Sequence, residues 1–244
     1  LGFIGTGKIA SSVITGICRS SIKYSKIYIS SRNSKIAKNL KKKFKRIYIE
    51  KDNQRIIDNC NWIFLAVTPT VGERIIKNLR FKSNQTIISF ISTINLTQLK
   101  KITGLKSNIV RAIPLPPIAL CKGPVPIYPP NSKVKKFFDK LGSTVEISNE
   151  KLSLNFWTTS AMMAPFYEIL YSLSNWLVKR GIKKENAQKY ISSLFLALSE
   201  DAFNHNKNLK KLVGESQTPG GLNEQAVKDL RKAGFYRLLE KTSN

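Results

Sequence analysis

The chain has 244 residues, 42% of them hydrophobic, enough for one substantial core or two modest ones, and two domains fit it best. Its 41 Lys and Arg against 15 Asp and Glu give a formal charge of +26, and the excess is uneven: 27 against 7 in residues 1–150, 14 against 8 in residues 151–244. Three scattered cysteines (Cys18, Cys60, Cys121) and one histidine, His205, in a polar stretch that reads as an exposed loop, argue against a disulfide framework, a metal site and histidine-dependent nucleophilic catalysis.

The opening Leu1–Ile4 is the end of an apolar strand, and Gly5-Thr-Gly-Lys-Ile-Ala10 follows it directly. This is the G-x-G-x-x-G/A spacing of a dinucleotide fingerprint: Gly5 for a tight strand-to-helix turn, Gly7 for close approach to a pyrophosphate, Ala10 for close packing of helix on strand. The helix begins around Thr6, Lys8 and Ile9, whose N–H groups and dipole favour a phosphate. Apolar Ile9, Ala10, Val13, Ile14 and Ile17 recur at the spacing of a buried helix face, and Lys26–Ser30 completes a βαβ unit.

After that second strand stand Ser31, Arg32 and Asn33, with no acid where a free ribose 2′-hydroxyl would be read. Arg32 can fork onto a 2′-phosphate while Ser31 and Asn33 add hydrogen bonds, which favours NADP(H) over NAD(H); the bland alternative is an arginine solvated at a loop edge. The basic run Lys38–Arg46, with Leu40 and Phe44 facing inward, reads as the solvated face of a helix beside an anionic cofactor. Abundant Lys, Ile and Asn throughout point to compositional bias rather than to specific nucleic-acid binding.

Next come a short strand at Ile47–Ile49, a polar segment ending at Cys60, and the continuous apolar run Trp62–Val67, a buried parallel strand. Its exit, Ala66, Val67, Thr68 and Pro69, lies at the carboxyl edge of the sheet, where open α/β folds bind ligands; an ordinary strand-ending turn is the alternative. Helices are expected over 72–79, 96–102 and 134–141, and strands over 85–91, 109–113 and 144–147. The rigid Pro114-Leu-Pro-Pro117 and the proline-flanked 124–130, read as an edge strand, intervene.

From Leu152 the texture becomes helical, over 152–180 and 185–203. Phe156, Trp157, Met163, Phe166, Tyr167, Leu170, Leu173, Leu177, Ile191, Leu194, Phe195 and Leu198 form wide apolar stripes. Stripes this wide on so short a bundle predict burial against a second copy, an intramolecular core being the alternative. The architecture expected is an α/β Rossmann-type dinucleotide-binding domain over residues 1–150 followed by an all-α dimerisation domain over residues 151–244. With no apolar run near membrane-spanning length and no secretory pattern, a soluble, cytoplasmic protein without membrane contact is expected, leaving open what precedes Leu1.

Gly2-Phe-Ile-Gly-Thr-Gly-Lys-Ile-Ala10, Phe64-Leu-Ala-Val-Thr-Pro69, Val110-Arg-Ala-Ile-Pro114 and Gln217-Thr-Pro-Gly-Gly221, the last followed by a helix ending near Ala233-Gly-Phe235, resemble the pyrroline-5-carboxylate reductase family along nearly the whole chain. The resemblance implies NADPH-dependent reduction of L-1-pyrroline-5-carboxylate, a cyclic imine, to L-proline. It also implies a homodimer or higher homo-oligomer through residues 151–244, with the substrate pocket between one subunit's nucleotide domain and its partner's helices. Thr218 matches the hydroxyl that donates to the substrate carboxylate, Gly220 and Gly221 the glycines whose backbone approaches it, and Asn223 falls where a threonine near the imine nitrogen is usual.

Two departures bear on the substrate. Leu115-Pro-Pro117 replaces Asn-Thr-Pro, and Leu222-Asn-Glu-Gln225 replaces small residues and threonine, placing Glu224 close to the pocket. They leave two other readings open: reduction of a different cyclic imine or small carbonyl compound on the same fold, and an NADP-binding sensor without catalysis. A β-hydroxyacid dehydrogenase is disfavoured, because residues 156–177 contain no lysine.

Overall fold

The computed structural model describes residues 1–106, 108–204 and 208–242, so the expectation for His205 lies outside the described residues. The chain divides into two compact units, Leu1–Phe156 and Trp157–Asn244.

The first unit is an eight-stranded sheet: β1 (Gly2–Ile4), β2 (Ile27–Ser30), β3 (Ile47–Glu50), β4 (Trp62–Leu65), β5 (Thr86–Ser89), β6 (Ile109–Ala112), β7 (Pro124–Tyr128) and β8 (Ser143–Glu146). The spatial order is β3-β2-β1-β4-β5-β6-β7-β8, parallel at every pairing except β6 with β7. The first six strands have the doubly wound order that reverses between β1 and β4.

Alternate residues feed two cores, as strands covered on both faces require. Phe3, Ile29, Phe64, Ile88 and Val110 belong to one apolar cluster, and Ile4, Ile63, Leu65, Ile87 and Ile109 to the other. Register pairs Phe3 with Phe64, whose rings stack with centroids 4.3 Å apart.

The helices of this unit are α1 (Lys8–Arg19), α2 (Ser34–Lys43), α3 (Asn53–Asp58), α4 (Pro69–Ile76), α5 (Leu96–Thr103) and α6 (Ser132–Phe138). Helix α1 buries Ala10, Val13, Ile14 and Ile17 completely or nearly so, as its spacing predicts. Gly16, on the same face, is required sterically: a Cβ there would stand 2.4 Å from the Ile118 carbonyl oxygen of the 3-10 helix Pro116–Leu120. Helix α5 opens with a reciprocal cap, Asn95 accepting from the Gln98 N–H and Gln98 from the Asn95 N–H.

Several elements differ from the sequence reading. The proline-flanked strand is not at an edge, because β7 lies between β6 and β8. The sheet tolerates Pro126 there because registered pairing with β6 is confined to Arg111 with Tyr128 and Ala112 with Ile127; beyond it Pro126 only accepts, from the Ile113 N–H. Helix α4 begins at Pro69 and ends at Ile76, displaced from 72–79, since proline suits a first helical position. The basic helix runs Ser34–Lys43 and stops before Phe44, which turns extended and packs on the core. Helix α3, capped by Asp52, and the 3-10 helix Pro116–Leu120 lie where a polar segment and a rigid proline stretch are expected.

Past a 3-10 turn at Glu150–Leu152, the chain forms α7 (Ser153–Ser160), α8 (Met163–Lys179), α9 (Lys184–Asn204), α10 (Leu209–Glu215), α11 (Leu222–Lys232) and α12 (Phe235–Thr242). The stretch 152–180 is therefore not one helix. Pro165 is a third helical residue, where no N–H is needed, and its ring opposes continuation from the preceding turn, so the chain breaks between α7 and α8. Helices α8 and α9 pack together, with Phe166 edge-on to Phe195. Among the described residues of this unit only Ser174, Ala187 and Ile191 are fully buried. Tyr171, Trp176, Leu198 and Phe203 are exposed, the last at 70%. An intramolecular core does not use up these stripes. No helix among the described residues is long and apolar enough to cross a membrane.

Candidate functional site

The turn from β1 to α1 is dictated by Gly5 and held by Ser30. Gly5 has φ of 98°, and a Cβ on it would lie 2.6 Å from the Ala66 carbonyl oxygen at the exit of β4, so both conformation and space demand glycine. Its N–H donates to Ser30 Oγ (2.6 Å), the Ser30 hydroxyl donates to the Phe3 carbonyl (3.1 Å), and the Thr6 hydroxyl donates to the Ser30 carbonyl (2.6 Å). All of these groups are buried. Thr6 thus turns its hydroxyl into the protein and offers the exterior only backbone.

Gly7 is the opposite case. It is the extended N-cap of α1, and a Cβ placed on it meets nothing within 4 Å. The protein itself therefore does not require glycine there, and the backbone at the first N–H groups of α1 is open to the exterior.

Gly5, Thr6, Gly7, Arg32, Asn33, Ala66, Val67 and Thr68 come together around one cavity of about 460 Å³ at the carboxyl ends of β1, β2 and β4. Ser34 and Lys35, which sequence reasoning did not single out, complete its rim. The rim carries two cations and no carboxylate. Arg32 and Lys35 are exposed and make no ion pair among the described residues. Asn33 uses its side-chain oxygen to cap α2 through the Ile36 N–H (3.3 Å), leaving its NH₂ available. Ser34 and Lys35 had a legible signal, polar and basic first-turn residues after a strand that ends in this crevice.

Four expected cofactor residues lie outside this cavity lining. Lys8 is exposed on the first turn of α1, Ile9 packs against the core, and the Ser31 N–H donates to the Glu50 carbonyl (3.1 Å). Pro69 lines a separate cavity of about 320 Å³ with Glu73, Thr93, Gln98 and Lys101. A larger open depression of about 660 Å³ surrounds Trp62 and four lysines at the opposite, amino edge. It lacks any glycine turn, and Phe137 (4.9 Å) and Lys133 (5.5 Å) already pack against the Trp62 ring.

In the helical unit, the Thr218–Gly221 turn closes through the Gly221 N–H donating to the Thr218 carbonyl (2.8 Å), with Gly220 at φ of 75°. Three residues of the helix that follows clamp this loop. Glu224 accepts from the Gly220 N–H (2.8 Å) and pairs with Lys228 (2.9 Å); the Asn223 amide donates to the Ser216 carbonyl (2.9 Å), and the Gln225 amide to the Gly220 carbonyl (2.8 Å). The N–H groups of Gly220 and Gly221, expected to face a substrate carboxylate, are therefore satisfied within the loop, and the Asn223 amide is directed at its own chain. Thr218 is exposed, as is Leu222, at 83%. Leu115 is half-buried and gives no side-chain cap to the 3-10 helix that it precedes.

The hydrogen bond from Lys228, and after it that from the Gly220 N–H, hold the Glu224 carboxyl below its ordinary value of 4.5. A carboxylate with a depressed value keeps its contacts at higher pH and loses them as pH falls through that value. The Gly220 amide resonance is expected to titrate with a midpoint below 4.5 in an NMR pH series; a midpoint at or above 4.5 would show that the clamp does not form in solution.

Residues 1–93 match the family model described as NADP oxidoreductase coenzyme F420-dependent, and residues 151–244 match that for pyrroline-5-carboxylate reductase dimerisation. Curated relatives align along both chains: pyrroline-5-carboxylate reductase 3 of Xenopus laevis is 22% identical over 96% of this chain and 89% of its own. The Pseudomonas aeruginosa pyrroline-5-carboxylate reductase is 22% identical over 100% and 93%. Among solved structures, the pyrroline-5-carboxylate reductase of Coxiella burnetii superposes with a TM-score of 0.85 at 22% identity, covering 99% of this chain and 93% of that one. The Plasmodium falciparum pyrroline carboxylate reductase, solved with NADP bound, gives 0.83 at 22% identity and the same coverage. With residues 1–93 matched by an NADP oxidoreductase model and residues 151–244 by the pyrroline-5-carboxylate reductase dimerisation model, the chain is an oxidoreductase whose carboxy-terminal domain is of the pyrroline-5-carboxylate reductase type and whose full length is similar to such reductases.

Proposed function

We propose that this protein binds NADPH in preference to NADH and uses it to reduce the C=N bond of L-1-pyrroline-5-carboxylate, giving L-proline. The observation that carries the reading is the Gly5–Gly7 turn opening on a cleft rimmed by Arg32 and Lys35, in a chain that aligns end to end with such reductases. When bound, the reduced nicotinamide supplies the hydride that the imine carbon accepts, and the imine nitrogen takes a proton to become the secondary amine.

The chain's own residues mainly hold and orient. Gly7 and the first turn of α1 receive the pyrophosphate, Arg32 with Lys35 the 2′-phosphate, and Ala66–Thr68 border the nicotinamide half. Thr218 donates its hydroxyl to the substrate carboxylate, and Asn223 serves the imine nitrogen after releasing Ser216. An iminium carbon is already electrophilic, so alignment is the principal requirement, an effect that can lower a barrier by about 7–11 kcal/mol. The working form is a homodimer joined through residues 151–244, which covers Tyr171, Trp176 and Leu198. Its proposed location is the cytoplasm.

One observation favours a second reading, a different cyclic imine or small carbonyl substrate. The two glycine amides that a carboxylate would seek are already occupied, one of them by the anionic Glu224.

Mixed with NADPH and L-1-pyrroline-5-carboxylate, the purified protein is expected to consume the nicotinamide absorbance and form proline in equal amounts. Tight NADPH binding without consumption with this imine, but with turnover of a carboxylate-free cyclic imine, would select the second reading. Replacing Arg32 with Ala removes a charged hydrogen-bond donor worth about 1.5–3 kcal/mol, so NADPH affinity should fall about 10- to 150-fold while NADH affinity stays nearly constant. Equal losses for both would remove Arg32 from the 2′-phosphate site.

A further inference from the structure

Arg111 and Glu150 tie together three separated segments of the first unit. Arg111 stands in β6 and is only 6% exposed. Its Nη2 donates to the Ser92 carbonyl (2.7 Å) and its Nη1 to Glu150 Oε1 (2.5 Å); the same carboxylate oxygen accepts the N–H of Leu96 (2.8 Å), the first residue of α5. The segment between β5 and α5, residues 90–95, is therefore gripped at its middle by the guanidinium and at its end by the carboxylate.

Arg111 is buried but the Glu150 side chain is a quarter exposed, and an ion pair so far withdrawn from water gives little stability beyond what well-packed apolar residues would give, because desolvation offsets the attraction. Its forked, directional contacts fix geometry instead. The segment they fix leaves the carboxyl edge of β5, the neighbour of β4, whose own exit carries Ala66–Thr68. The cationic rim of Arg32 and Lys35 lies across the switch point, beyond β1, at the end of β2. The two halves of a dinucleotide laid over this crevice thus meet different strands.

We propose that Arg111 and Glu150 are positioning residues for the nicotinamide half of the bound cofactor, setting residues 90–95 against it without touching it. This rests on the cofactor assignment above. It requires that loosening the pair weaken recognition of the nicotinamide half and leave the adenine half unaffected.

The test compares the intact native protein with Glu150→Gln and Arg111→Lys by calorimetric titration of two probes, with unfolding midpoints recorded alongside. One probe is NADPH; the other is adenosine 2′,5′-bisphosphate, which carries the adenine half and its 2′-phosphate but no nicotinamide. Both variants are expected to bind NADPH about tenfold more weakly, a change of about 1.4 kcal/mol, and to bind the bisphosphate as the native protein does. Glu150→Asp, which keeps the charge on a shorter arm, should fall between, and it carries the same test if Glu150→Gln fails to fold. Unchanged affinity for both probes, or an equal loss for both, overturns the proposal while leaving the cofactor assignment standing. A native protein that binds neither probe overturns the assignment and this inference with it.

Discussion

A single buried hydroxyl organises the amino-terminal half of this molecule. Ser30, the last residue of β2, accepts the N–H of Gly5 and donates to the carbonyl of Phe3, while its own carbonyl receives the Thr6 hydroxyl. A buried amide left without that acceptor would cost about 1–3 kcal/mol. The latch therefore sets where β1 ends, and with Gly5 pressed against the Ala66 carbonyl the chain can leave the sheet only toward Gly7 and α1. The cleft between β1 and β4, the open face of Gly7 and the cationic rim at Arg32 all follow from that exit.

The helical half obeys a different constraint. Its helices bury almost nothing of their own, so the wide apolar stripes remain exposed on the single chain, as the proposed dimer requires. Within it, the Thr218–Gly221 loop is shaped by hydrogen bonds that the Asn223 and Gln225 amides donate and one that the Glu224 carboxylate accepts. These side chains stiffen a glycine turn that would otherwise depend on its backbone alone. The same contacts place the Glu224 carboxylate against the Gly220 N–H, one of the two amides that the proposed substrate carboxylate would seek.

Much of the dinucleotide unit was legible because its signals are periodic or conformational. Helix α1 follows from apolar spacing, β4 from a continuous apolar run, and Gly5 from a turn that needs positive φ. What escaped depends on partners distant in sequence or on a single local cap, proline or side-chain contact. A proline rule misplaced β7, since whether Pro126 harms a sheet depends on how far β6 pairs beside it. Helix α3 is a single polar stretch recognisable mainly by its Asp52 cap, and Pro165 marked a helix start inside a pattern that reads as unbroken. The Ser30 latch, the Arg111–Glu150 pair and the clamps on residues 216–221 are side-chain contacts made only after folding, so no spacing announces them.

Gly7 offers the most direct test of the account. It is the one fingerprint glycine whose replacement meets no protein atom, so Gly7→Ala should leave the thermal unfolding midpoint of the unliganded protein essentially unchanged. If the turn cradles the pyrophosphate of a nicotinamide dinucleotide, the added methyl must collide with it, and calorimetric titration should show NADPH binding lost or severely weakened in a protein that is otherwise native. Undiminished NADPH affinity in Gly7→Ala would contradict the claim that this turn is the cofactor site.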